Sequence, residues 1–273
     1  MPGEDLEDAL RESSALSKTN KGTLLTLLGE NVNEESESTE VVQSYLDTLT
    51  AVGDRSLDVE ISVKLTQLGL DLDEGVAESN LRALVESSGK LDRLVWVDME
   101  SSAYIDRTLD LYRAVRADHA NVGICLQTYL RRTPEDLETL LPLGAAVRLV
   151  KGAYAEPSDI AFPTKRDVDE AFFELACTLI DAPPAVRGAF GTHDVALMRR
   201  IQAAGEERGI DRDRLEFQML YGIGVRDQDR LVADGYRVRV LISYGSAWFP
   251  WYMRRLAERP ANLMFVLRKM FSA

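Results

Sequence analysis

Two adjacent arginines near the C-terminal end of the sequence are the residues best suited to chemistry. Arg254 and Arg255 are followed by Glu258, and the spacing of four places Arg254 and Glu258 on one face of a predicted short helix. Neighbouring guanidinium groups repel each other unless an anion lies between them, and their planar donors match a carboxylate or a pyrophosphate. A solvated surface of arginine and glutamate is the alternative interpretation of this pattern taken alone.

Further polar side chains stand at the ends of predicted strands. Strict alternation along the second strand places Ser62, Lys64 and Thr66 on one face. A buried charge is costly unless it is paired or bound to a ligand. Lys64 with Asp98 forms either a structural ion pair or part of a ligand site, and Arg148 either fills space or faces an anionic group. The other polar residues at strand ends are Gln127, Lys151, Thr192, His193, Asp194 and Gln218.

Strand-like and helix-like segments alternate along the chain and would position these side chains. We predict strands at 23–28, 59–65, 94–99, 122–127, 146–150, 186–191, 215–220 and 237–242, with helices at 102–116, 133–141 and 195–208 among the connections. Eight strand–helix units predict an α/β fold, a (βα)8 TIM-type barrel. In such a barrel the polar strand ends meet at one face, so the sequence predicts an enzyme that binds an anionic cofactor and a carboxylate there.

The N-terminal segment is predicted to precede the barrel. Residues 6–16 have a helical pattern, so we divide the chain into a helical extension at 1–22 and a barrel domain at 23–273. The first twenty residues lack the apolar region of a secretory signal, and we find no apolar run of membrane-spanning length. We therefore expect a cytoplasmic protein.

Composition excludes several classes of partner. The 273 residues carry a formal net charge of −13, which argues against nucleic acid and against simple electrostatic docking on anionic lipid. The two cysteines, Cys125 and Cys177, form no CxxC pair, and only two histidines are present. We therefore expect buried free thiols and no metal site.

Six segments occur in a characteristic order. They read ISVKLT at 61–66, VDME at 97–100, VRLVKGAY at 147–154, FGTHD at 190–194, EFQMLYG at 216–222 and RRLAER at 254–259. Each segment alone is a weak signal, but the ordered set resembles the proline dehydrogenase family. The resemblance extends from about residue 20 to the C terminus and is closest to the short, monofunctional bacterial form.

The resemblance implies a distorted barrel that binds FAD and oxidises L-proline to Δ1-pyrroline-5-carboxylate by hydride transfer to flavin N5. It implies that Arg254 and Arg255 clamp the proline carboxylate with Lys64 as a third cation. Asp98 would pair with Lys64, and Tyr154 would pack near the substrate. With Arg148, the residues Lys64, Asp98 and Tyr154 would form the catalytic set.

The resemblance also assigns cofactor residues and partners. Gln127 and Arg148 would lie against the N5 edge of the flavin. The ribityl, pyrophosphate and adenine groups would be held by Lys151, Gly152, Ala153, Lys165, Thr192, His193, Asp194, Gln218 and Glu258. Electrons would pass to a quinone, and a pyrroline-5-carboxylate dehydrogenase would act downstream. An apolar stripe on a predicted helix at 261–271 either makes weak peripheral contact with the inner face of the membrane or packs on the barrel.

The sequence departs from the family pattern at several positions. Leu241 stands where the family usually has a tyrosine that packs over the substrate ring, and Ser243 replaces a proline. We therefore predict a roomier or differently shaped pocket, with weaker proline affinity or wider tolerance of substituted prolines such as hydroxyproline. Asp194 and Ala155 replace a frequent asparagine and a frequent tryptophan near the cofactor.

Three other functions remain as alternatives. A flavin barrel reductase would use a nicotinamide donor and would not need Arg254 beside Arg255. A phosphate-binding barrel lyase or isomerase would be colourless. The third alternative is a non-catalytic flavin-binding or regulatory relative, in which the leucine at position 241 would indicate that activity has been lost.

Overall fold

Eight parallel strands form the centre of the molecule. The computed structural model describes residues 1–29, 31–246 and 248. Each strand pairs with the next along the chain, and β8 pairs with β1, so the sheet closes into a barrel. The strands are β1 Gly22–Leu27, β2 Val59–Val63, β3 Val95–Val97, β4 Val122–Gln127, β5 Ala146–Val150, β6 Arg187–Gly191, β7 Glu216–Leu220 and β8 Arg237–Tyr244. The predicted barrel is confirmed.

Helices surround the barrel on the outside. They are α1 Leu6–Ser17, α2 Glu35–Asp54, α3 Glu74–Gly89, α4 Ile105–Asp118, α5 Thr133–Leu140, α6 Lys165–Asp181, α7 Val195–Glu207 and α8 Val225–Ala233. The predicted helix at 102–116 begins with a 3₁₀ turn, Ser102–Tyr104, and ends two residues later than expected. No helix in the described part of the chain is long and apolar enough to cross a membrane.

Short polar side chains fix where several helices begin. The carboxylate of Asp73 accepts a hydrogen bond from the backbone N–H of Val76 at the start of α3. Thr164 does the same for Asp167 at the start of α6. These caps satisfy amide groups that have no partner within the helix, so each helix begins directly after its strand–helix loop.

The lumen of the barrel is layered. At its middle, Trp96 packs with Leu24, Ala146 and Ala189, and Leu241 packs against this group. Charged residues lie at the end formed by the strand N termini, and polar residues lie at the opposite end, the barrel mouth. The apolar middle layer therefore separates two polar regions of one lumen.

Helix α1 covers the closing seam of the barrel. Its Ala9 and Leu10 are buried against Leu25 of β1 and against Ile242 and Tyr244 of β8. The N-terminal segment predicted to precede the barrel is thus a helix that packs directly on the first and last strands. Helix α1 therefore covers the outer surface of β1 and β8.

Candidate active site

Three charged side chains meet at the barrel mouth. Arg148 of β5 donates hydrogen bonds through Nη2 to Oδ1 of Asp98 and, at 3.0 Å, to Oγ of Ser62. Ser62 in turn donates to the same Asp98 oxygen at 2.9 Å. Nζ of Lys64 lies 4.0 Å from the other oxygen of Asp98. Asp98 is therefore shared by two cations, which leaves a net positive charge, and the structure brings together three of the residues predicted to be catalytic.

Arg148 is fixed from more than one side. Its Nη1 donates to Oε1 of Gln218 at 3.2 Å, and its guanidinium carbon lies 5.3 Å from the ring centre of Trp96. Gln218 is itself held by a hydrogen bond of 2.7 Å from its Nε2 to Glu216. An arginine keeps its charge when buried, so the mouth has a permanent cation in a fixed position.

Two buried polar atoms at this site have no hydrogen-bond partner among the described residues. Gln127 donates through Nε2 to the backbone oxygen of Met99 at 3.1 Å, but its Oε1 atom is unsatisfied. The Nε atom of Arg148 is unsatisfied as well. Leaving such groups without a partner costs about 1–3 kcal/mol each, so a polar ligand at this position would offset a real energetic cost.

The second strand is shorter than predicted, and this changes the role of Thr66. Strand β2 ends at Val63 rather than at residue 65. The chain then turns, and Thr66 donates from its hydroxyl and its amide to Glu100 at 2.6 and 3.1 Å. Burial raises the pKa of Glu100 above the usual value. Thr66 therefore supports the loop that follows Lys64 rather than joining it on the lumen face.

A second cluster of charges lies where β5 and β6 end. Nζ of Lys151 donates to Asp169 at 2.5 Å and to Asp194 at 3.0 Å. Lys165 donates to the same two carboxylates. Burial would raise the pKa of Asp194, but the hydrogen bonds from Lys165 and Lys151 outweigh it and hold the pKa well below the usual value. Two lysines predicted to bind phosphates are thus balanced by two carboxylates.

The loop after β5 packs tightly on the loop after β4. Gly152 has φ of 108°, and a Cβ at this position would lie 2.2 Å from the ring of Tyr129. Glu156, further along the same loop, accepts hydrogen bonds of 2.7 and 2.6 Å from the amide and hydroxyl of Ser102. These contacts position the exposed Ala153 and the half-buried Tyr154 beside the mouth.

The histidine after β6 is held as a neutral acceptor. Nε2 of His193 accepts a hydrogen bond of 3.0 Å from the amide of Leu220, and burial lowers the pKa of the ring. Its buried Nδ1 has no partner among the described residues. Neighbouring Thr192 accepts from the amide of Asp194 at 3.1 Å, which fixes the turn into α7.

Other predicted site residues lie apart from these clusters. Leu241 is on the lumen face of β8, beside Leu24 and Trp96. Arg254, Arg255 and Glu258, with the predicted helix at 261–271, lie outside the described residues.

Two residues that support the site, Asp169 and Glu156, were not predicted from the sequence. Asp169 follows Lys165 by four residues in a helix, a spacing that would have indicated their ion pair. Glu156 had no such signal, because its partner Ser102 is far away in sequence and only the fold brings them together.

The fold and site define a (βα)8-barrel protein whose mouth holds buried cations suited to an anionic ligand. A family model described as "Proline dehydrogenase" matches residues 9–268. The chain belongs to the proline dehydrogenase family, as its ordered motifs predict.

Curated relatives support the same assignment. Proline dehydrogenase 1 of Bacillus subtilis (strain 168) is 36% identical over 266 residues, covering 97% of this chain and 87% of the relative. Proline dehydrogenase of Deinococcus radiodurans is 33% identical over 273 residues, covering 98% and 87%. Because little of either relative lies outside the match, the short form of the family fits this chain.

A solved structure shows the same fold. Proline utilization A from Bdellovibrio bacteriovorus, inactivated by N-propargylglycine, superposes with a TM-score of 0.84 at 24% identity. The match covers 90% of this chain but only 30% of that chain. Proline utilization A from Bradyrhizobium japonicum gives a TM-score of 0.76 at 22% identity, with 89% and 28% covered.

Proposed function

We propose that this protein is a flavin-dependent dehydrogenase that oxidises L-proline to Δ1-pyrroline-5-carboxylate, with FAD as its cofactor. Membership of the proline dehydrogenase family supports the reaction. The observation that carries the site assignment is the group of Arg148, Asp98 and Lys64 at the barrel mouth, which sets two cations around one carboxylate. That arrangement suits a small anionic substrate and an electron-rich ring above it.

Lys64 is the described residue best placed to bind the proline carboxylate. It is only 7% exposed, and its one ion pair among the described residues is the 4.0 Å contact with Asp98, which is too long for a hydrogen bond. Its ammonium donors are therefore available to a ligand. In the proposed complex, Arg254 and Arg255 complete the clamp on the same carboxylate.

The walls of the substrate pocket come from other elements. We assign Tyr154, in the loop after β5, and Leu241, on the lumen face of β8, to contacts with the pyrrolidine ring. Asp98 acts by holding Lys64 and Arg148 in position. An apolar wall with a carboxylate clamp at one end orients the ring, and such positioning accounts for much of the rate enhancement of enzymes.

The mouth fits the flavin that the resemblance implies. The unsatisfied Oε1 of Gln127 and Nε of Arg148 are buried polar atoms that need a partner, and a flavin ring edge supplies both donors and acceptors. When bound, FAD supplies the two-electron oxidation that the side chains of the protein do not perform. Arg148 contributes a fixed positive charge that favours an anionic ring beside it.

The charges after β5 and β6 fit the phosphates and adenosine of the cofactor. Lys151 and Lys165 are cations at the rim, and we assign Gly152, in the adjoining loop, to a backbone contact with the cofactor. We assign the remaining contacts with the cofactor to Ala153, Thr192, His193, Asp194, Gln218 and Glu258.

The reaction needs an electron acceptor and yields a reactive product. We propose a quinone as acceptor and a pyrroline-5-carboxylate dehydrogenase as the downstream enzyme, on the strength of the family resemblance. We also propose that residues 261–271 make weak contact with a membrane surface, where a quinone would be available.

An anaerobic visible spectrum of the purified protein, before and after addition of L-proline, tests the proposed function. We expect a yellow protein whose absorbance at about 450 nm falls when proline is added. A yellow protein that bleaches with NADH and not with proline would support a flavin barrel reductase instead. A colourless protein that FAD does not reconstitute would exclude the flavoenzyme.

A second substrate is favoured by one observation. Leu241 faces the lumen where the family usually carries a tyrosine, so the pocket loses a hydroxyl and a flat ring. Oxidation of a substituted proline such as hydroxyproline is therefore the second candidate, and the same spectrum recorded with that substrate tests it.

A further inference from the structure

A separate cavity of about 410 Å³ lies at the end of the barrel opposite the mouth. Its lining comes from the N-terminal ends of strands and the residues just before them, whereas the mouth is built from C-terminal ends. The middle layer around Trp96 separates the two regions. We call it the basal cavity. Its charged lining residues are Asp58, Glu60, Arg93, Arg187, Glu216, Arg237 and Arg239.

The carboxylates of the basal cavity are already neutralised. Arg187 forms ion pairs of 2.7 Å with Glu60 and 2.6 Å with Glu216. Arg239 lies 3.3 Å from Asp58 and donates from Nη1 to the backbone oxygen of that residue. Arg239 also lies 3.4 Å from Glu60 and 3.7 Å from Glu216. The four arginines of the cavity outnumber its three carboxylates, so one positive charge is in excess.

Two of the four arginines, Arg93 and Arg237, are poorly satisfied. Among the described residues Arg93 makes only long contacts, 3.4 Å to each of two backbone oxygens and 3.8 Å to Asp58. Arg237 forms no ion pair or hydrogen bond with any described residue. The buried Nε atom of Arg93 has no hydrogen-bond partner within the described part of the chain. Guanidinium groups that lack hydrogen bonds of ordinary length have donors available to bind an oxyanion.

We propose that the basal cavity binds a small oxyanion, the chemistry shared by inorganic phosphate and a small carboxylate. Four arginines against three carboxylates leave a positive excess in a chain whose net charge is −13. Because the overall field of the protein repels anions, local attraction at this cavity must come from its own arginines. Arg93 and Arg237 provide the donors.

Binding would also tie the barrel together. Arg93 precedes β3 and Arg237 begins β8, so an anion between them bridges strands that do not pair with each other. Since a ligand that binds only the folded state stabilises it, the melting temperature should rise with the concentration of the anion. This site is independent of proline oxidation at the mouth.

Isothermal titration calorimetry of the holoenzyme tests the proposal. Sodium phosphate and sodium acetate are titrated separately into protein in a chloride buffer of matched ionic strength. The variant Arg237→Gln removes an exposed lining arginine, and Arg199→Gln, an exposed arginine of α7 without an ion pair to any described residue, is the matched control. Lys64→Met reports on binding at the mouth.

We expect saturable binding of at least one of the two anions, weakened about tenfold or more in Arg237→Gln, because a hydrogen bond to a charged group contributes on that scale. Binding should persist in Arg199→Gln and Lys64→Met, and the kcat/KM of Arg237→Gln for proline should equal that of the wild type. Absence of saturable binding for both anions would overturn the proposal and leave a water-filled cavity. If binding is lost in Lys64→Met but kept in Arg237→Gln, the anion binds at the mouth. That result would also overturn the proposal.

Discussion

Arg148 and Asp98 form a hydrogen-bonded ion pair inside the barrel although β4 lies between the strands that position them. The same carboxylate accepts from Ser62 at 2.9 Å and lies 4.0 Å from the ammonium of Lys64. Asp98 thus sets the spacing between the two cations of the mouth. Its side chain is 21% exposed, so the pair is open to the ligand side of the site.

The Asp98→Asn variant should impair both catalysis and stability. The amide keeps the shape of the side chain but leaves Arg148 and Lys64 without a counter-charge. We expect kcat/KM for proline to fall about a hundredfold, because displaced positioning groups have effects of that size. The free energy of unfolding should fall by about 2 kcal/mol. Steady-state kinetics and urea denaturation measure the two effects.

Asp110→Asn is the control for that variant. Asp110 is 77% exposed on α4, and its one ion pair to a described residue is with Arg113 on the same helix. Its substitution should therefore change stability by less than about 0.5 kcal/mol. If Asp98→Asn were as active as the wild type, Asp98 would have no part in positioning the cations.

The Asp194→Asn variant should bind FAD more tightly. Asp194 and Asp169 pair with Lys151 and Lys165. In the proposed complex these carboxylates lie beside the cofactor and draw the lysines away from its phosphates, so removal of one negative charge should favour the phosphates. Asparagine also caps helices well, so α7 should still begin at the same residue. We expect affinity to rise about fivefold, the scale of a partly exposed ion pair.

Titration of apoprotein with FAD, followed by flavin fluorescence, measures this affinity. Asp118→Asn, which removes an exposed carboxylate paired with Arg82, is the control for the change in net charge. Weaker binding by Asp194→Asn would mean that the carboxylate holds the lysines in place for the cofactor rather than competing with it.

Gly152→Ala should destabilise the loop after β5. The residue has φ of 108°, and a methyl group would lie 2.2 Å from Tyr129. Gly209→Ala is a matched control, since that glycine also has positive φ, 64°. Apart from its two chain neighbours, no described residue has an atom within 4 Å of the position that its methyl group would occupy. We expect a loss of about 2–4 kcal/mol at Gly152 against about 1 kcal/mol at Gly209. Equal losses in urea denaturation would show that backbone strain alone matters.

The stability of the protein should decrease at mildly acidic pH through His193. Burial lowers the pKa of this ring in the folded state, so protonation favours the unfolded chain. The contribution of the neutral His193 ring to the free energy of unfolding is complete above the pKa of the unfolded state, about 6.5. It is lost as the pH falls through the lower pKa of the folded state. Protonation of Nε2 would also remove the acceptor for the amide of Leu220.

Urea denaturation between about pH 7.5 and pH 5.5 measures this dependence, with a limit of about 1.4 kcal/mol per pH unit for one proton. The His193→Gln variant keeps an acceptor without a titrating ring, so its curve should be flatter than that of the wild type. His119→Gln serves as the matched control. Parallel curves for wild type and His193→Gln would contradict the assignment.

Leu241→Tyr should narrow the choice of substrate. A tyrosine would fill lumen space beside Leu24 and Trp96 and would restore a flat surface for the substrate ring. We expect KM for proline to fall and the ratio of hydroxyproline to proline oxidation to fall about tenfold, the scale of small steric differences in pockets. A wild-type KM for proline no higher than that of the variant would count against a role for Leu241 in substrate choice.

The sequence by itself determined the local features of this protein. Alternation along the strands and amphipathic helices between them predicted all eight strands, since both patterns depend on neighbours in sequence. The placement of Lys64, Asp98 and Arg148 at the mouth followed from the same argument. The end of β2 at Val63 was missed, because a turn stabilised by Glu100 overrides the alternation.

Only the tertiary structure decided which charges are partners. The sequence suggested Lys64 as the partner of Asp98, whereas the closer partner is Arg148. The arginines of the basal cavity likewise come from distant parts of the chain. The physical reason is closure of the barrel: it brings strands far apart in sequence to within hydrogen-bond distance, and local periodicity contains no information about those pairings.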